Sequence, residues 1–351
     1  MAKLQIAVLG AGSWGTALAL VLADNGHQVK LWTHTEAQAE KINESHMNEK
    51  YLPGVQLSDS IIAYPNIEEA VLDADMIVFA VPAKATREVA EKVNMVSRKT
   101  AVIVHVSKGI EPDSHLRISE ILEETLNSEA MSDLVVLSGP SHAEEVVKRH
   151  PTTVTAASDD IAAAEMVQDA FMNQHFRVYT NTDVIGVEVG GALKNIIALA
   201  AGITDGLGYG DNAKAALITR GLAEIARLGT KMGANPLTFS GLTGVGDLIV
   251  TCTSVHSRNW RAGNMLGKGH KLDEVLESMG MVVEGVRTTK AAYQLADKYQ
   301  VSMPITSALY RVLFEGVHPK EAVDQLMARV KTHEMEDLVN ILEDQDEKTG
   351  N

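Results

Sequence analysis

The stretch Lys3-Leu4-Gln5-Ile6-Ala7-Val8-Leu9-Gly10-Ala11-Gly12-Ser13-Trp14-Gly15 decides how this chain is read. An apolar run ends in G-x-G-x-x-G, and a helix-prone run, Thr16-Ala17-Leu18-Ala19-Leu20-Val21-Leu22-Ala23, follows at once. In a strand–turn–helix unit of this kind Gly10 permits the tight turn. Gly12 lets backbone approach a pyrophosphate, and Gly15 lets the helix pack on the strand. The helix start offers N–H groups and a partial positive charge to the phosphates. Asn25-Gly26 then turns the chain into a second strand. The motif alone is a weak signal. Its place between a strand and a helix favours dinucleotide binding over a glycine-rich structural turn.

Working outward, strand-like runs recur at 4–9, 28–33, 75–81, 101–106 and 134–138, with helical stretches such as 35–50, 84–95 and 114–127 between them. Met76-Ile77-Val78-Phe79-Ala80-Val81 and Ala101-Val102-Ile103-Val104 are apolar at nearly every position. Strands of that kind are buried on both faces, as in a parallel sheet covered by helices. Thr152–Ala156 and Phe176–Tyr179 read as further strands of the same sheet. Beyond residue 184 helices dominate, at 187–204, 212–232, 259–266, 272–279, 285–299, 304–315, 319–328 and 335–343. Glycine-rich joints separate some of them. The joint Gly206–Gly210 reads as a flexible linker, with Asp211-Asn212 capping the next helix. The expected fold is therefore α/β, a Rossmann-type dinucleotide-binding domain over residues 1–183. An all-α C-terminal domain over 184–343 follows, then a polar, frayed tail over 344–351.

A length of 351 residues suits about two domains. The net charge of −15 argues against a nucleic-acid partner, so cations for an anionic ligand must be concentrated locally. The single cysteine, Cys252, excludes an internal disulfide and fits a reducing, cytoplasmic setting. It reads as a buried structural thiol, since Thr251 and Thr253 offer it no base. The start of the chain lacks a basic region and a small-residue cleavage site, so no secretory leader is expected. No run of continuous apolar residues reads as a membrane span.

Three groups of residues carry chemistry. The second strand closes on Trp32-Thr33-His34-Thr35, and the first carboxylate after it is Glu36. NAD-specific folds place an acid there, about 20 residues after the glycine motif. Its absence removes repulsion against a 2′-phosphate, and His34 can add a hydrogen bond to one, so NADP is expected to be accepted beside NAD. Next, Lys194 lies in an apolar stretch, Gly186–Gly202, whose polar residues are Glu188, Lys194 and Asn195. Gly190 and Gly191 weaken that helix but remove bulk one turn before the lysine. Space opens there for a ligand or for another backbone. A desolvated lysine is suited to proton transfer; the competing reading is a lysine that snorkels or pairs with an acid. Third, Ser257-Arg258-Asn259 places a guanidinium between two hydrogen-bonding side chains, as a phosphate clasp does. The plainer reading is a helix capped by Ser257. Lys108-Gly109 and Ser138–Ala143 end strands on the edge where open α/β sheets bind ligands. His333-Glu334 lacks the second histidine of a zinc motif, and no hydrolase or P-loop signature is present.

Taken in order, Gly10–Ala17, His105–Gly109, Leu137–Ser141, Gly191–Asn195, Gly244–Asp247 and Ser257–Asn259 resemble the bacterial NAD(P)-dependent sn-glycerol-3-phosphate dehydrogenases. The likeness runs to about residue 340. It implies reduction of dihydroxyacetone phosphate to sn-glycerol 3-phosphate, a glycerophospholipid precursor, with Lys194 as the catalytic residue. It also implies that Ser13, Trp14, His34, Lys108, Ala143, Arg258, Val282 and Glu284 touch the cofactor. Lys108, Gly139, Ser141, Lys194, Asp247, Ser257, Arg258 and Asn259 are the implied substrate contacts. One departure stands out. Relatives often carry arginine after the histidine that closes the second strand, whereas this chain has Thr35. No metal is expected, because lysine supplies the electrophile. A homodimer is left open.

Two other readings compete. Two-domain β-hydroxyacid-type dehydrogenases pair their lysine with an asparagine four residues later, but residue 198 here is alanine. A non-catalytic NAD(P) sensor would not need Lys194 in an apolar helix.

Overall fold

The structure, a computed structural model, describes residues 3–280 and 282–330. Among the described residues ten strands are present: β1 (Gln5–Leu9), β2 (Gln28–Trp32), β3 (Met47–Asn48), β4 (Leu52–Gln56), β5 (Ile61–Tyr64), β6 (Met76–Phe79), β7 (Ala101–His105), β8 (Met131–Ser138), β9 (Thr152–Ala157) and β10 (Phe176–Asn181). Among and after them run α1 (Ser13–Asp24), α2 (Glu36–Ser45), α3 (Ile67–Val71), α4 (Thr86–Val96), α5 (Ile118–Thr125), α6 (Ala143–Val146) and α7 (Ile161–Phe171). The remaining described helices are α8 (Val184–Gly206), α9 (Asp211–Lys231), α10 (Asp247–Thr253), α11 (Arg258–Gly267), α12 (Leu272–Met279), α13 (Glu284–Lys298), α14 (Pro304–Phe314) and α15 (Pro319–Met327).

The chain divides into two compact units. Residues up to Lys108 with Leu116–Val184 form the first; Gly109–His115 with the residues from Ile185 on form the second. The short segment Gly109–His115 thus leaves the first unit and returns, which a single boundary near 184 does not anticipate. The expected helix 335–343 and the expected frayed tail 344–351 lie outside the described residues.

The first unit is built on one eight-stranded sheet of order β10-β9-β8-β7-β6-β1-β2-β5. Period-two alternation explains its two-sided burial. In β1, Ile6 and Val8 join the core under α1, α2 and α7, while Ala7 and Leu9 join the core under α3, α4 and α5. The chain steps outward from β1 to β2 and β5, then returns to β6 on the other side of β1. The switch point therefore lies at the carboxyl ends of β1 and β6, where open sheets of this kind bind ligands. One pair departs from the expected parallel sheet: β8 and β9 run antiparallel. Their connection holds a single four-residue helical turn, α6, and the chain reverses instead of crossing over.

The expected helix 35–50 ends early. His46 takes a left-handed backbone at φ 49°, and a small antiparallel hairpin, β3–β4, follows outside the main sheet. That hairpin and β5 escaped the sequence reading because each is short.

In the second unit α8 is the core helix. By length and composition it could cross a membrane, at a mean hydropathy of 1.6, but 89 % of that apolar window is buried inside the protein. Burial is close because glycines let the backbones of α8 and α11 touch. A Cβ on Gly202 would lie 2.0 Å from the Trp260 carbonyl oxygen, and one on Gly263 would lie 2.0 Å from that of Leu199. The joint after α8 is a hydrogen-bonded helix end, not a flexible linker. Gly208 sits at φ +81°, and the N–H of Tyr209 donates to the Thr204 carbonyl at 3.1 Å. Gly210, without a side-chain cap, precedes α9, so Asp211 lies in the first turn instead of capping it.

Candidate active site

In the first unit the glycine turn forms as its residues require. Gly10 sits at φ +118°, and a Cβ there would stand 2.7 Å from the Ala80 carbonyl oxygen at the end of β6. A Cβ on Gly15 would stand 2.0 Å from the carbonyl oxygen of Gly10, so only glycine lets α1 pack down on the turn. Gly12 is different. A Cβ on it would meet nothing within 4 Å. Gly12 also precedes α1 without any side-chain cap, so the first-turn N–H groups are not spent on one. An open cradle over an uncapped helix start fits the pyrophosphate of a dinucleotide. Ser13 opens α1, its hydroxyl donating to the Tyr51 carbonyl at 2.9 Å. Trp14 is half-buried against the core.

His34 is exposed just after β2, its ring edge-on to Trp32 with centroids 6.5 Å apart. Thr35 is the N-cap of α2, its hydroxyl accepting from the N–H of Gln38 at 3.4 Å. Glu36 follows, exposed in the first helical turn. The sequence showed no such capping duty for Thr35.

Lys108, Gly139 and Ser141 meet at one atom. The carbonyl oxygen of Gly139 accepts from Lys108 Nζ at 3.1 Å and from Ser141 Oγ at 3.0 Å. Gly139 has φ +146°, and a Cβ there would press on Val154 Cα at 2.9 Å, so glycine is required between β8 and α6. Ala143, buried, begins α6.

In the second unit Lys194 projects from α8, 6 % exposed. Its ammonium pairs with Asp247 Oδ1 and donates to Thr251 Oγ1 at 2.8 Å. Asp247 is 1 % exposed and opens α10. Thr251 lies one turn later, where its hydroxyl also donates to the Asp247 carbonyl at 2.6 Å. Of the two readings its apolar helix allowed, the structure bears out pairing with an acid, and that acid comes from another helix. The room left by Gly190 is taken by backbone of the π-helical turn Leu242–Gly246, which leads into Asp247. Cys252 is fully buried beside this cluster, and burial pushes its thiol up to about 12, which removes it as a nucleophile.

Ser257 caps α11, its hydroxyl accepting from the N–H of Trp260 at 3.2 Å. Arg258 is exposed, and its Nη1 reaches the Val282 carbonyl at 3.4 Å. Asn259 is buried. Its Nδ2 donates to Asn195 Oδ1 at 2.8 Å, and its Oδ1 accepts from the N–H of Gly285 at 2.9 Å. Gly285 follows Glu284, the first residue of α13. One amide thus joins the residue after Lys194 to the residue after Glu284.

The sequence reading missed two partners. Thr251 stands four residues after Asp247, a spacing that puts both on one helix face. Asn195 follows the lysine directly but carries no local signal that it receives Asn259.

Comparison with known proteins gives the family. The family described as NAD-dependent glycerol-3-phosphate dehydrogenase N-terminus matches residues 5–164, and the corresponding C-terminus family matches residues 183–324. A glycerol-3-phosphate dehydrogenase, NAD(P)+, of Bacillus velezensis is 73 % identical over 339 residues, covering 97 % of this chain and 98 % of the relative. The same enzyme of Bacillus subtilis is 71 % identical over 341 residues, covering 97 % and 99 %. The crystal structure of glycerol-3-phosphate dehydrogenase from Coxiella burnetii superposes with a TM-score of 0.88 at 39 % identity, covering 93 % of this chain and 99 % of that one.

Proposed function

This chain belongs to the NAD-dependent glycerol-3-phosphate dehydrogenase family, and from that premise we propose the part its residues play in the reaction. The protein is an NAD(P)-dependent oxidoreductase that interconverts dihydroxyacetone phosphate and sn-glycerol 3-phosphate, the phosphorylated backbone of glycerophospholipids. Bound NAD(P)H supplies hydride to C2 of the ketone.

The observation that carries the residue assignment is the buried Lys194–Asp247–Thr251 cluster. Negative charge builds on the C2 oxygen as C2 is reduced. Lys194 donates a hydrogen bond to that oxygen and then its proton, leaving a neutral amine that is recharged from water. In the reverse direction the amine takes the hydroxyl proton. Asp247 balances the ammonium in a buried place, and with Thr251 it fixes the direction in which Nζ points. Arg258 holds the substrate phosphate. Asn259 has a second amide hydrogen for it, the first being spent on Asn195. Ser257 serves by capping α11 beneath them. Lys108, Gly139 and Ser141 are the proposed substrate contacts of the first unit.

The glycine turn Gly10–Gly15 with Ser13 and Trp14 takes the pyrophosphate, and His34 faces the adenosine ribose. Ala143, Val282 and Glu284 complete the cofactor contacts. Both NADH and NADPH serve, NADPH at least as well. A cytoplasmic setting belongs to this reading, supported by the single, buried, unpaired cysteine.

The test is nicotinamide absorbance decay with dihydroxyacetone phosphate, run with each cofactor in the parent and in Lys194→Met. The parent turns over with both cofactors. In the variant, turnover is lost while cofactor affinity survives. Turnover near the parent's in Lys194→Met would remove the lysine from the mechanism.

A further inference from the structure

The hairpin β3–β4 stands outside the main sheet, yet it reaches the glycine turn. Asn48, 3 % exposed, donates from Nδ2 to the carbonyl oxygen of Ala11 at 3.0 Å and to Thr16 Oγ1 at 2.8 Å. Gln38 of α2 donates from Nε2 to the same Ala11 oxygen at 2.9 Å and lies 3.4 Å from Asn48 Oδ1. A second strap comes from the connection after Asn48, where the Tyr51 carbonyl accepts from Ser13 Oγ at 2.9 Å. Ala11 is the residue between Gly10 and Gly12. Its carbonyl thus receives two side-chain amide donors, one for each lone pair.

This matters because the Ala11–Gly12 peptide is a rigid plane. In a trans peptide the C=O of one residue and the N–H of the next point in opposite directions. Pinning the Ala11 oxygen toward Asn48 and Gln38 aims the Gly12 N–H the other way, toward the open side of the turn. Without the pin, glycine's freedom at Gly12 allows this plane to flip. A carbonyl dipole would then face the phosphates. We propose that Asn48, with Gln38 as its second donor, is a positioning residue for the dinucleotide: it holds the Ala11–Gly12 peptide in the orientation that receives the pyrophosphate. The inference rests on the reading of Gly10–Gly15 as the pyrophosphate turn.

Three variants test it, with dissociation constants for NADH, NADPH and ADP-ribose measured on the full chain. Asn48→Asp keeps the size of the side chain but replaces the donor by a second acceptor. Its affinity for NADH, NADPH and ADP-ribose falls together by about tenfold, the size of one lost hydrogen bond turned repulsive. The ratio between NADPH and NADH does not change. Turnover at saturating cofactor and the KM for dihydroxyacetone phosphate stay within about twofold of the parent, since a bound pyrophosphate restores the plane. Gln38→Leu, at a half-exposed site that is easier to change, shifts the same three constants in the same direction by about threefold.

Three results would overturn the role of Asn48. They are unchanged affinities in both variants below their melting temperatures, a loss for NADPH different from that for NADH, and a fall in turnover at unchanged affinity. Gly12→Ala separates this proposal from the one beneath it. Its Cβ meets no protein atom within 4 Å and φ is −80°, so the fold accepts it, while a bound pyrophosphate would not. If Gly12→Ala leaves cofactor affinity intact, the pyrophosphate assignment fails. If Gly12→Ala weakens binding and Asn48→Asp does not, the positioning role alone fails.

Discussion

The carbonyl oxygen of Thr243 lies so close over Gly190 that a Cβ on the glycine would stand 2.5 Å from it. Four residues further along each segment, Lys194 meets Asp247. The backbone contact sets how near the start of α10 comes to α8, and that spacing brings the lysine and the aspartate together.

Gly190→Ala should therefore act on catalysis from a distance. An added methyl forces the two segments apart, at about 1–3 kcal/mol of stability. Turnover should fall by roughly tenfold or more as the Lys194–Asp247–Thr251 geometry loosens. NADH affinity should not change. Steady-state kinetics with a cofactor titration checks this; parent-like turnover would show that the spacing is not set here.

Lys194 should matter differently to stability and to turnover. Lys194→Met removes the ammonium that balances the buried Asp247 carboxylate, which costs about 3–5 kcal/mol. Turnover should fall by about 10²–10⁴-fold. In the double variant Lys194→Met/Asp247→Leu the melting temperature should recover toward the parent's while turnover stays lost. Calorimetry beside the kinetic assay separates the two effects, and recovery of both together would contradict the assignment.

Arg258→Ala should raise the KM for dihydroxyacetone phosphate far more than that for unphosphorylated dihydroxyacetone. A charge-assisted hydrogen bond to phosphate contributes about 1.5–3 kcal/mol. Equal changes for both ketones would show that Arg258 does not read the phosphate.

Thr35→Arg should shift the ratio of specificity constants toward NADPH, because it places a permanent charge beside His34. Loss of the α2 N-cap costs about 0.5–2 kcal/mol at the same time. Thr35→Ala serves as the control, since it loses the cap without gaining the charge. It should lower the melting temperature without moving the cofactor ratio. A ratio that moves equally in both variants would assign the effect to the helix.

Glu224 of α9, 1 % exposed, gives a pH-dependent stability. Its carboxylate accepts from the N–H groups of Ile305 and Thr306 at 2.6 and 3.1 Å and so caps α14. Burial pushes it up to about 7 from 4.5, against those hydrogen bonds and the nearby Arg227, which favour the charged form. A carboxyl raised on folding binds more protons folded than unfolded. Its contribution is full below about pH 4.5 and is lost as pH rises through about 7, at up to about 1.4 kcal/mol per pH unit. Melting temperatures of the parent and Glu224→Gln between about pH 5 and about pH 8 check the sign. The parent's margin over the variant should shrink as pH rises, and a margin that grows would refute the direction.

Local chemistry made much of this protein legible. The glycine turn, the two-sided strands and the amphipathic helices are written in spacings of two to four residues, because backbone geometry alone fixes which side chains share a face. So were the strand ends at Lys108 and at Gly139, taken singly, and the cap formed by Ser257. Where several short elements lie between turns, as in the 47–64 region, the period is too brief to read: β3 falls inside the expected helix 35–50, and β4 carries no signal of its own.

What the order of residues determined by itself was the strand–turn–helix unit that begins the sheet, the change to helices near residue 184, and the candidacy of Lys194 as the buried cation. Which groups meet that cation was decided by tertiary structure alone. Asp247 is 53 residues away and Asn259 lies 64 residues from Asn195; Asn48 is 37 residues from Ala11. Such partners are chosen by how closely helices and strands can approach. That distance depends on glycines such as Gly190, whose reason for being glycine is the backbone lying across it.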